Sequence, residues 1–418
     1  MSPRGRPLCT AILALVTLGL SLSACGGDEG GASTLNWYVF DEPGGSFTNA
    51  AKNCSTDSYD IKVQVLPADA DQQREQLVRR LAAGDTSIDL IGMDVIWTAE
   101  FAGAEWILPL EGKAAEAATK GKLEAAVESA TYEDEVYGVP FTSNTQLLWY
   151  RKDLVKTPPT TWDEMLDMSA KLEQEGKPHL IQTQGQRYEG LTVLFNTVLA
   201  SSGGSILNDD ATKVSLEEEP TRTALEVLSK YARSDGAPDT LSTSIEDDNR
   251  LSFEAGESAF MLNYPFVYPS AEANAPEVFK NLGWAMFPRV TADEPAHVTL
   301  GGVNIGVGAM SKHPDEAFEA AACLAGEDNQ VYAATNGGLP PTIESLYSDD
   351  TVRETYPFAD ELVATFKEAT LRPQTPLYND VSLAVSGTLH PLEDIDPEAD
   401  VDKLRDAVTR ALNGEGLL

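Results

Sequence analysis

The sequence predicts an α/β fold of parallel strands and helices, in a chain long enough for two domains. Thr34–Phe40 ("TLNWYVF") has the aromatic and β-branched content of a strand. An amphipathic helix at Asp69–Asp85 separates it from Ile88–Met93, which is apolar enough for a buried strand. Strand–helix–strand spacing of this kind is typical of a parallel sheet, and 418 residues exceed the usual size of one domain.

The N-terminus has the pattern of a secretion signal. Two arginines precede the apolar run Leu8–Leu20, which is shorter than a typical transmembrane helix. The run leads to "LSAC", which fits the bacterial lipobox, so residues 1–24 are predicted to be a signal peptide and Cys25 to carry lipid. Residues 25–33 are then a flexible tether, and the protein lies on the extracellular face of the cell membrane. The alternative is an ordinary secretory signal, in which the cysteine occurs by chance and carries no lipid.

The remaining cysteines, Cys54 and Cys323, lie in a chain expected to enter a compartment that permits disulfides. We predict that they pair. Two buried free thiols are the alternative, because sequence alone does not bring the two residues together.

Later segments also have recognisable patterns. Ala114–Ala130 is alanine-rich, charged and predicted helical, and Thr161 is a predicted N-cap of a helix that ends near Glu175. Further helices are predicted at Gly190–Ser201, Pro220–Ser234, Asp247–Ala255, 313–326 and 396–414. Strands are predicted in "SAFMLNYPFVY", where an aromatic loop follows, and in "VTLGGVNIGVGAM".

Composition and motifs exclude several functions. The net charge of −36 and the lack of a basic stripe argue against a nucleic-acid partner. Phosphate-loop, nucleophile-elbow and zinc-protease signatures are absent, and the four histidines lack the spacing of metal ligands. We therefore expect no enzyme activity, no cofactor and no metal.

Residues 136–172, "VYGVPFTSNTQLLWYRKDLVKTPPTTWDEMLDMSAKL", resemble the signature of sugar-binding proteins of ABC importers. "LSFEAGESAFMLNYPF" and "GGLPPT" resemble the regions where that family's chain reaches the cleft and crosses it. The resemblance implies a two-lobed periplasmic-binding-protein fold, type II-like, in which each lobe is a mainly parallel sheet flanked by helices. The ligand then lies in the cleft between an N-lobe and a C-lobe, with bounds of 34–141 and 297–340 for the N-lobe, and of 142–296 and 341–418 for the C-lobe.

Within that family the chain is most similar to the trehalose-binding lipoproteins of mycobacteria and related actinobacteria. The parallels are "DVIWTAEFA", "NYPFV", "GGVN", "GGLP" and "LRPQTPLY". The similarity implies that Cys54 and Cys323 form a disulfide. It also implies that a disaccharide is held by Asp94, Asn144, Glu246, Tyr264 and Arg372. The chain departs from the group at Tyr264, where the group has tryptophan, and lacks a long insertion before the "GGVN" strand.

A sugar site needs hydrogen-bond acceptors, donors and flat surfaces together, because sugars combine many hydroxyls with a few apolar faces. Ligands of open α/β sheets lie beyond the carboxyl ends of strands. Asp94 follows Ile88–Met93 directly and is placed for this role, and Arg372 can donate a fork of hydrogen bonds. The further candidates are Asp41, Glu42, Gln146, Glu189, Phe266 and Gly338.

Each candidate has a simpler alternative. Asp94 and Glu189 could cap helices, and Glu246 could be part of a solvated helix start. Arg372 could pair with a surface acid. Tyr264 and Phe266 could be packing residues, and Trp97 is more typical of a core residue than of a ligand platform, so it is left out of the predicted site.

The expected function is that of a monomeric, lipid-anchored binding protein that captures a disaccharide, trehalose or another α-glucoside. It would deliver this sugar to the membrane permease of an ABC importer. One alternative is a different solute, such as a longer oligosaccharide or a polyamine, although Arg372 argues against an amine. The other is a secreted glycosidase that uses two of the carboxylates.

Overall fold

The computed structural model describes residues 32–42, 44–67 and 70–415. The predicted signal peptide, Cys25 and most of the tether lie outside the described residues. Within the described part, no helix is both long enough and apolar enough to cross a membrane.

The described chain alternates strands and helices along most of its length. Its strands are β1 Ser33–Phe40, β2 Tyr59–Leu66, β3 Leu90–Asp94, β4 Thr131–Tyr132, β5 Glu135–Val136, β6 Gly138–Asn144, β7 Leu147–Arg151, β8 Leu180–Gln182, β9 Ser258–Asn263, β10 Leu282–Ala285 and β11 Gly301–Val307. Its α-helices are α1 Ser46–Cys54, α2 Ala70–Ala82, α3 Thr98–Gly103, α4 Gly112–Thr119, α5 Glu124–Ser129, α6 Trp162–Gln174, α7 Glu189–Ala200, α8 Glu218–Ala232, α9 Glu246–Glu254, α10 Val267–Asn274, α11 Pro276–Phe279, α12 Pro314–Leu324, α13 Glu327–Gly337, α14 Asp350–Thr355, α15 Ala359–Lys367, α16 Tyr378–Leu389 and α17 Asp400–Leu412.

Two large sheets organise these elements, and β4 and β5 form a separate two-stranded sheet. The first has the order β2-β1-β3-β11-β6 and the second has the order β10-β7-β9-β8. In the first sheet β1 pairs in parallel with β2 and β3, whereas β11 pairs antiparallel with β3 and β6. In the second sheet only the β8–β9 pair is parallel. The sheets are therefore mixed rather than mainly parallel, because strands from distant parts of the chain insert antiparallel.

Both faces of each sheet are covered by helices. Successive side chains of a strand point to opposite faces, so Leu148 and Tyr150 of β7 enter one core while Leu147 and Trp149 enter another. Likewise, Trp37 of β1 packs with α1 and α12 on one face of the first sheet. On the other face α2 and α3 cover the sheet. Apolar residues on both faces give the near-continuous hydrophobic runs seen in the sequence.

The chain first passes from the first sheet to the second through a very short connection, called here the first crossing. Only Thr145 and Gln146 separate β6 of the first sheet from β7 of the second. A later segment, called here the late crossing, runs alongside the first crossing. Ser143 N donates to Pro340 O at 2.9 Å, and Thr142 forms an isolated β-bridge with Pro341. The two segments therefore form one hydrogen-bonded unit.

Cys54 at the end of α1 is bonded to Cys323 in α12, as predicted. The two residues are 269 positions apart in the chain. The bond fastens the first helix of the fold to a helix that enters this layer much later.

Other segments differ from the sequence-based expectation. Ala114–Ala130 is two helices, α4 and α5, because Gly121 adopts a left-handed φ of 68° and the next residues bridge to the 342–343 segment. Strand β2 and helix α1 were not predicted. The helix after Thr161 is as expected, with Thr161 Oγ1 accepting from Glu164 N at 3.2 Å.

Lys122 lies where the crossing segments meet. Its Nζ donates to Pro140 O at 2.9 Å, Thr342 Oγ1 at 3.0 Å and Ala325 O at 3.2 Å. All three acceptors are uncharged, and burial lowers the pKa of Lys122 to about 7. The Lys122 amino group thus joins both crossings without a carboxylate among its hydrogen-bond partners.

This environment predicts a pH-dependent stability. The unfolded chain keeps the Lys122 proton up to its ordinary pKa of 10.5, whereas the folded chain loses it near 7, so stability should rise with pH above about 7. The contribution is at most about 1.4 kcal/mol per pH unit. Lys122→Met should flatten the rise in melting temperature between pH 7 and 9, whereas Lys280→Met at an exposed ion pair should not. Parallel profiles for wild type and Lys122→Met would contradict this origin.

Candidate functional site

Asp94 and Asn144 lie at one edge of the first sheet. Asp94 is the last residue of β3 and pairs with Val303 of β11, while Asn144 ends β6 and pairs with Gly301. Asp41 follows β1, which is parallel to β3, so it belongs to the same edge and is exposed. The strand-end placement that suggested Asp94 and Asp41 is present in the fold.

Asp94 has two roles in this position. Its Oδ1 accepts from Ile96 N at 3.2 Å, which caps the short 3₁₀ turn that follows β3. The same oxygen lies 3.5 Å from Arg372 Nη2. The capping alternative is therefore correct for Asp94, and the same carboxylate also lies beside Arg372.

Arg372 is the most buried ionic group of the site, with 7% of its surface exposed. Its Nη1 donates to Glu189 Oε1 at 2.8 Å, and its Nη2 donates to Leu300 O at 3.2 Å. Burial by itself lowers the pKa of Arg372, but the carboxylates of Asp94 and Glu189 outweigh this and raise it above its ordinary value. The guanidinium is therefore a permanent positive charge between two acids.

Glu189 is the first residue of α7 and accepts hydrogen bonds from three side chains in two other segments. Besides Arg372, Tyr378 Oη donates to Oε1 at 2.6 Å, and Ser382 Oγ donates to Oε2. Burial raises the pKa of Tyr378, so its hydroxyl stays protonated and remains a donor. The carboxylate joins α7, the 372 segment and α16 in one network.

Glu246 begins α9 and forms a second polar centre. Tyr188 Oη donates to Glu246 Oε2 at 2.7 Å, and Asn263 Nδ2 donates to the Glu246 carbonyl at 2.9 Å. Burial raises the pKa of Glu246, although the Tyr188 hydrogen bond partly opposes this. Tyr264 is half-buried beside this group, and burial together with the Glu246 charge raises the pKa of its phenol.

The first crossing carries polar groups without partners. Gln146 Nε2 donates to Gln184 Oε1 at 2.8 Å, but Gln146 Oε1 has no hydrogen-bond partner among the described residues. Ser143 Oγ, Thr145 Oγ1 and Arg372 Nε are also buried and unpaired within that part of the chain. Buried polar atoms without partners are rare, and donors and acceptors of this kind suit a polar ligand.

The remaining predicted residues lie in different settings. Glu42 accepts from Ser46 N at 2.8 Å and from Gly44 N, so its carboxylate caps the start of α1. Gly338 follows α13 with φ of 65°, and a Cβ there would lie 4.0 Å from the Cα of half-buried Phe266. The late crossing thus reaches the aromatic segment after β9.

Trp97 is a core residue. It is 3% exposed and stacks on Phe101, with ring centroids 5.9 Å apart. Three residues that the sequence analysis missed hold the site together: Tyr188, Tyr378 and Ser382. Tyr188 directly precedes Glu189, and Tyr378 ends the "LRPQTPLY" segment, so their neighbours in sequence were the available signals.

The buried position of Arg372 predicts a cost for removing it. Arg372→Gln leaves Glu189 and Asp94 without their cation, and should reduce the free energy of unfolding by roughly 2–3 kcal/mol, since both acids are partly exposed. Urea unfolding measures the change. Lys280→Gln, which breaks the exposed pair with Glu277, is the control and should change stability by less than about 0.5 kcal/mol. Equal losses in the two variants would show that the Arg372 network adds nothing.

Comparisons with known proteins show the family of this chain. Residues 41–331 match the family described as "Bacterial extracellular solute-binding protein". A "Probable ABC transporter-binding protein" from Deinococcus radiodurans is 28% identical over 390 residues, which cover 89% of this chain and 92% of that protein. The solved structure of maltose-bound T. maritima MalE3 is 27% identical, with a TM-score of 0.79 and coverage of 90% of this chain and 99% of that one.

A cyclic alpha-maltosyl-1,6-maltose binding protein from Arthrobacter globiformis has a TM-score of 0.77 at 22% identity, and covers 92% of this chain and 100% of its own. These likenesses establish the two-lobed periplasmic-binding-protein fold. The family match spans more than half of the sequence, and so the chain belongs to the bacterial extracellular solute-binding proteins.

Proposed function

We propose that the protein captures a disaccharide, trehalose or another α-glucoside, between its two lobes. It then delivers this sugar to the permease of an ABC importer, while a lipid on Cys25 holds it at the extracellular face of the membrane. The observation that carries the proposal is the contact of Arg372 with both Asp94, at the edge of the first sheet, and Glu189, at the start of α7. Charged groups from the edge of the first sheet and from the start of α7 therefore meet at Arg372, which supports a solute site at this point.

The chemistry of the cluster suits a neutral polyol. Asp94, Asn144 and Glu246 supply oxygen acceptors, and Arg372 supplies donors, which is the combination that sugar hydroxyls require. Tyr264 offers an aromatic surface to the C–H face of a sugar ring. A cation is less suitable, because Arg372 already places a buried positive charge between Asp94 and Glu189.

The relatives support a carbohydrate as the solute. The T. maritima structure has maltose bound, and the Arthrobacter protein binds a cyclic maltose derivative. A curated relative from Bacillus subtilis is a galactooligosaccharide-binding protein. Within this class, the resemblance of Asp94, Asn144, Glu246 and Arg372 to the trehalose-binding group favours a disaccharide.

The proposed mechanism is closure around the solute. A ligand that touches groups of both lobes binds the closed arrangement better than the open one, and so shifts the population towards it. Hinge closure of this kind is the known behaviour of periplasmic binding proteins. The hydrogen-bonded crossing segments, including 340–343, are the places where the backbone would bend.

Titration calorimetry with trehalose, maltose, sucrose and maltotriose tests the proposal directly. We expect binding of one sugar per protein, and the same sugar should raise the melting temperature. Spermidine is the comparison ligand for the amine alternative. The sugar recovered after incubation should be intact, since hydrolysis would favour the glycosidase alternative. If no sugar gives heat or a thermal shift, the proposal is wrong.

Asp94 allows a sharper test of the site. Asp94→Ala should abolish measurable sugar binding, because it removes the carboxylate that accepts from hydroxyls and faces Arg372. Asp94→Asn keeps an oxygen that can accept from Ile96 N, and should retain the fold while weakening binding about tenfold or more. Thermal unfolding of both variants shows whether the fold is intact. Wild-type affinity in Asp94→Ala would remove Asp94 from the site.

A further inference from the structure

We propose that Tyr188 and Glu189, consecutive residues at the start of α7, are positioning residues of the solute site. Tyr188 sets the orientation of the acceptor Glu246, and Glu189 sets the orientation of the donor Arg372. The inference rests on the proposed function, because it takes Glu246 and Arg372 as groups that bind the solute. It assigns Glu189 an indirect role, where the sequence suggested direct contact.

Glu189 acts through Arg372 because both of its oxygens are engaged within the protein. Oε1 accepts from Arg372 Nη1 at 2.8 Å and from Tyr378 Oη at 2.6 Å, and Oε2 accepts from Ser382 Oγ. Ser382 Oγ also lies 3.1 Å from Thr192 Oγ1, which extends the network back to α7. A carboxylate held this way is a fixed anchor for the guanidinium.

Tyr188 performs the corresponding task for Glu246. Its hydroxyl lies 2.7 Å from Glu246 Oε2, although the two residues are 58 positions apart in the chain. Burial raises the pKa of the Tyr188 phenol, so the group remains a hydrogen-bond donor throughout the physiological range. The Glu246 backbone is held separately by Asn263, so Tyr188 fixes only the carboxylate.

Gly190 makes this arrangement possible. A Cβ at position 190 would lie 2.1 Å from Tyr188 Oη and 2.2 Å from Tyr188 Cζ, both impossible distances. The Tyr188 ring therefore folds back over the start of α7, in the space that glycine leaves open. Any side chain at position 190 would displace the ring from Glu246.

The rest of α7 gives these two contacts a rigid base. Its residues 190–199 are buried, and Leu191, Leu194, Phe195 and Val198 belong to the large core on one face of the second sheet. Adjacent residues at the start of this buried helix thus hold an acceptor and a donor of opposite charge. The side-chain orientations of Glu246 and Arg372 are consequently both tied to the start of α7.

Two conservative variants test the proposal. Tyr188→Phe removes one hydroxyl and Glu189→Gln removes one charge, and each should weaken sugar binding roughly tenfold in calorimetry. Gly190→Ala should resemble Tyr188→Phe. The experiment requires the full chain and the sugar that the wild type binds most tightly.

Matched controls separate positioning from a general loss of stability. Tyr231→Phe removes a buried hydroxyl that donates to Ile181 O at 2.7 Å. Glu254→Gln neutralises a carboxylate that accepts from Arg250 at 2.8 Å and Ser270 at 2.6 Å, a partner set like that of Glu189. Both controls should lower the melting temperature as the test variants do, yet keep the affinity within about twofold.

The pH profile of binding provides a readout that a structural role would not move. Besides Tyr188, the groups that act on Glu246 are Glu189, Asp248 and Tyr264, all of which stay in place in Tyr188→Phe. Loss of the hydrogen bond should raise the pKa of Glu246 further, so the affinity should begin to fall at a higher pH than in the wild type. Tyr231→Phe should keep the wild-type profile.

The outcomes distinguish a failure of the proposed function from a failure of the positioning roles. If the wild type binds no sugar, the proposed function fails and this inference fails with it. If the wild type binds, but Tyr188→Phe and Glu189→Gln bind equally well or only as weakly as their controls, the inference alone is overturned. An unshifted pH profile in Tyr188→Phe would likewise overturn the role of Tyr188.

Discussion

A buried guanidinium must keep its carboxylates, and this requirement organises the region between the two sheets. Removing a charge from water is costly unless opposite charge and hydrogen bonds replace the water. Arg372 meets the condition with Glu189 on one side and Asp94 on the other. Tyr378 and Ser382 then complete the Glu189 network. The contacts of Arg372 and Glu189 consequently hold the end of β3, the start of α7 and α16 together.

Local signals in the sequence predict part of this arrangement. Asp94 could be found from the rule that ligands lie beyond strand ends, since β3 is apolar and the acid follows it directly. Arg372 has no such signal. It meets Glu189 across 183 residues of chain, so only the family resemblance singled it out. Neither local sequence signals nor the family resemblance identified Tyr188 and Ser382, because nothing in the sequence shows which partners their hydroxyls meet.

Elements of the fold that depend on residues nearby in sequence were predictable, whereas those that depend on remote residues were not. The helix after Thr161 was predictable because its N-cap lies within four residues of the groups it bonds. The antiparallel insertion of β11 between β3 and β6 was not predictable, because the local sequence of a strand does not show which remote strands it pairs with. The break between α4 and α5 is similar. Alanine-rich sequence favours one long helix, but bonds to residues 342–343 override that propensity.

The two-residue link between β6 and β7 has a mechanical consequence. A residue spans at most about 3.6 Å when extended, so Thr145 and Gln146 leave almost no slack between a strand of one sheet and a strand of the other. The sheets can turn about this link, but they cannot slide apart along it. Any change in the relative position of the two sheets must therefore keep the end of β6 and the start of β7 together.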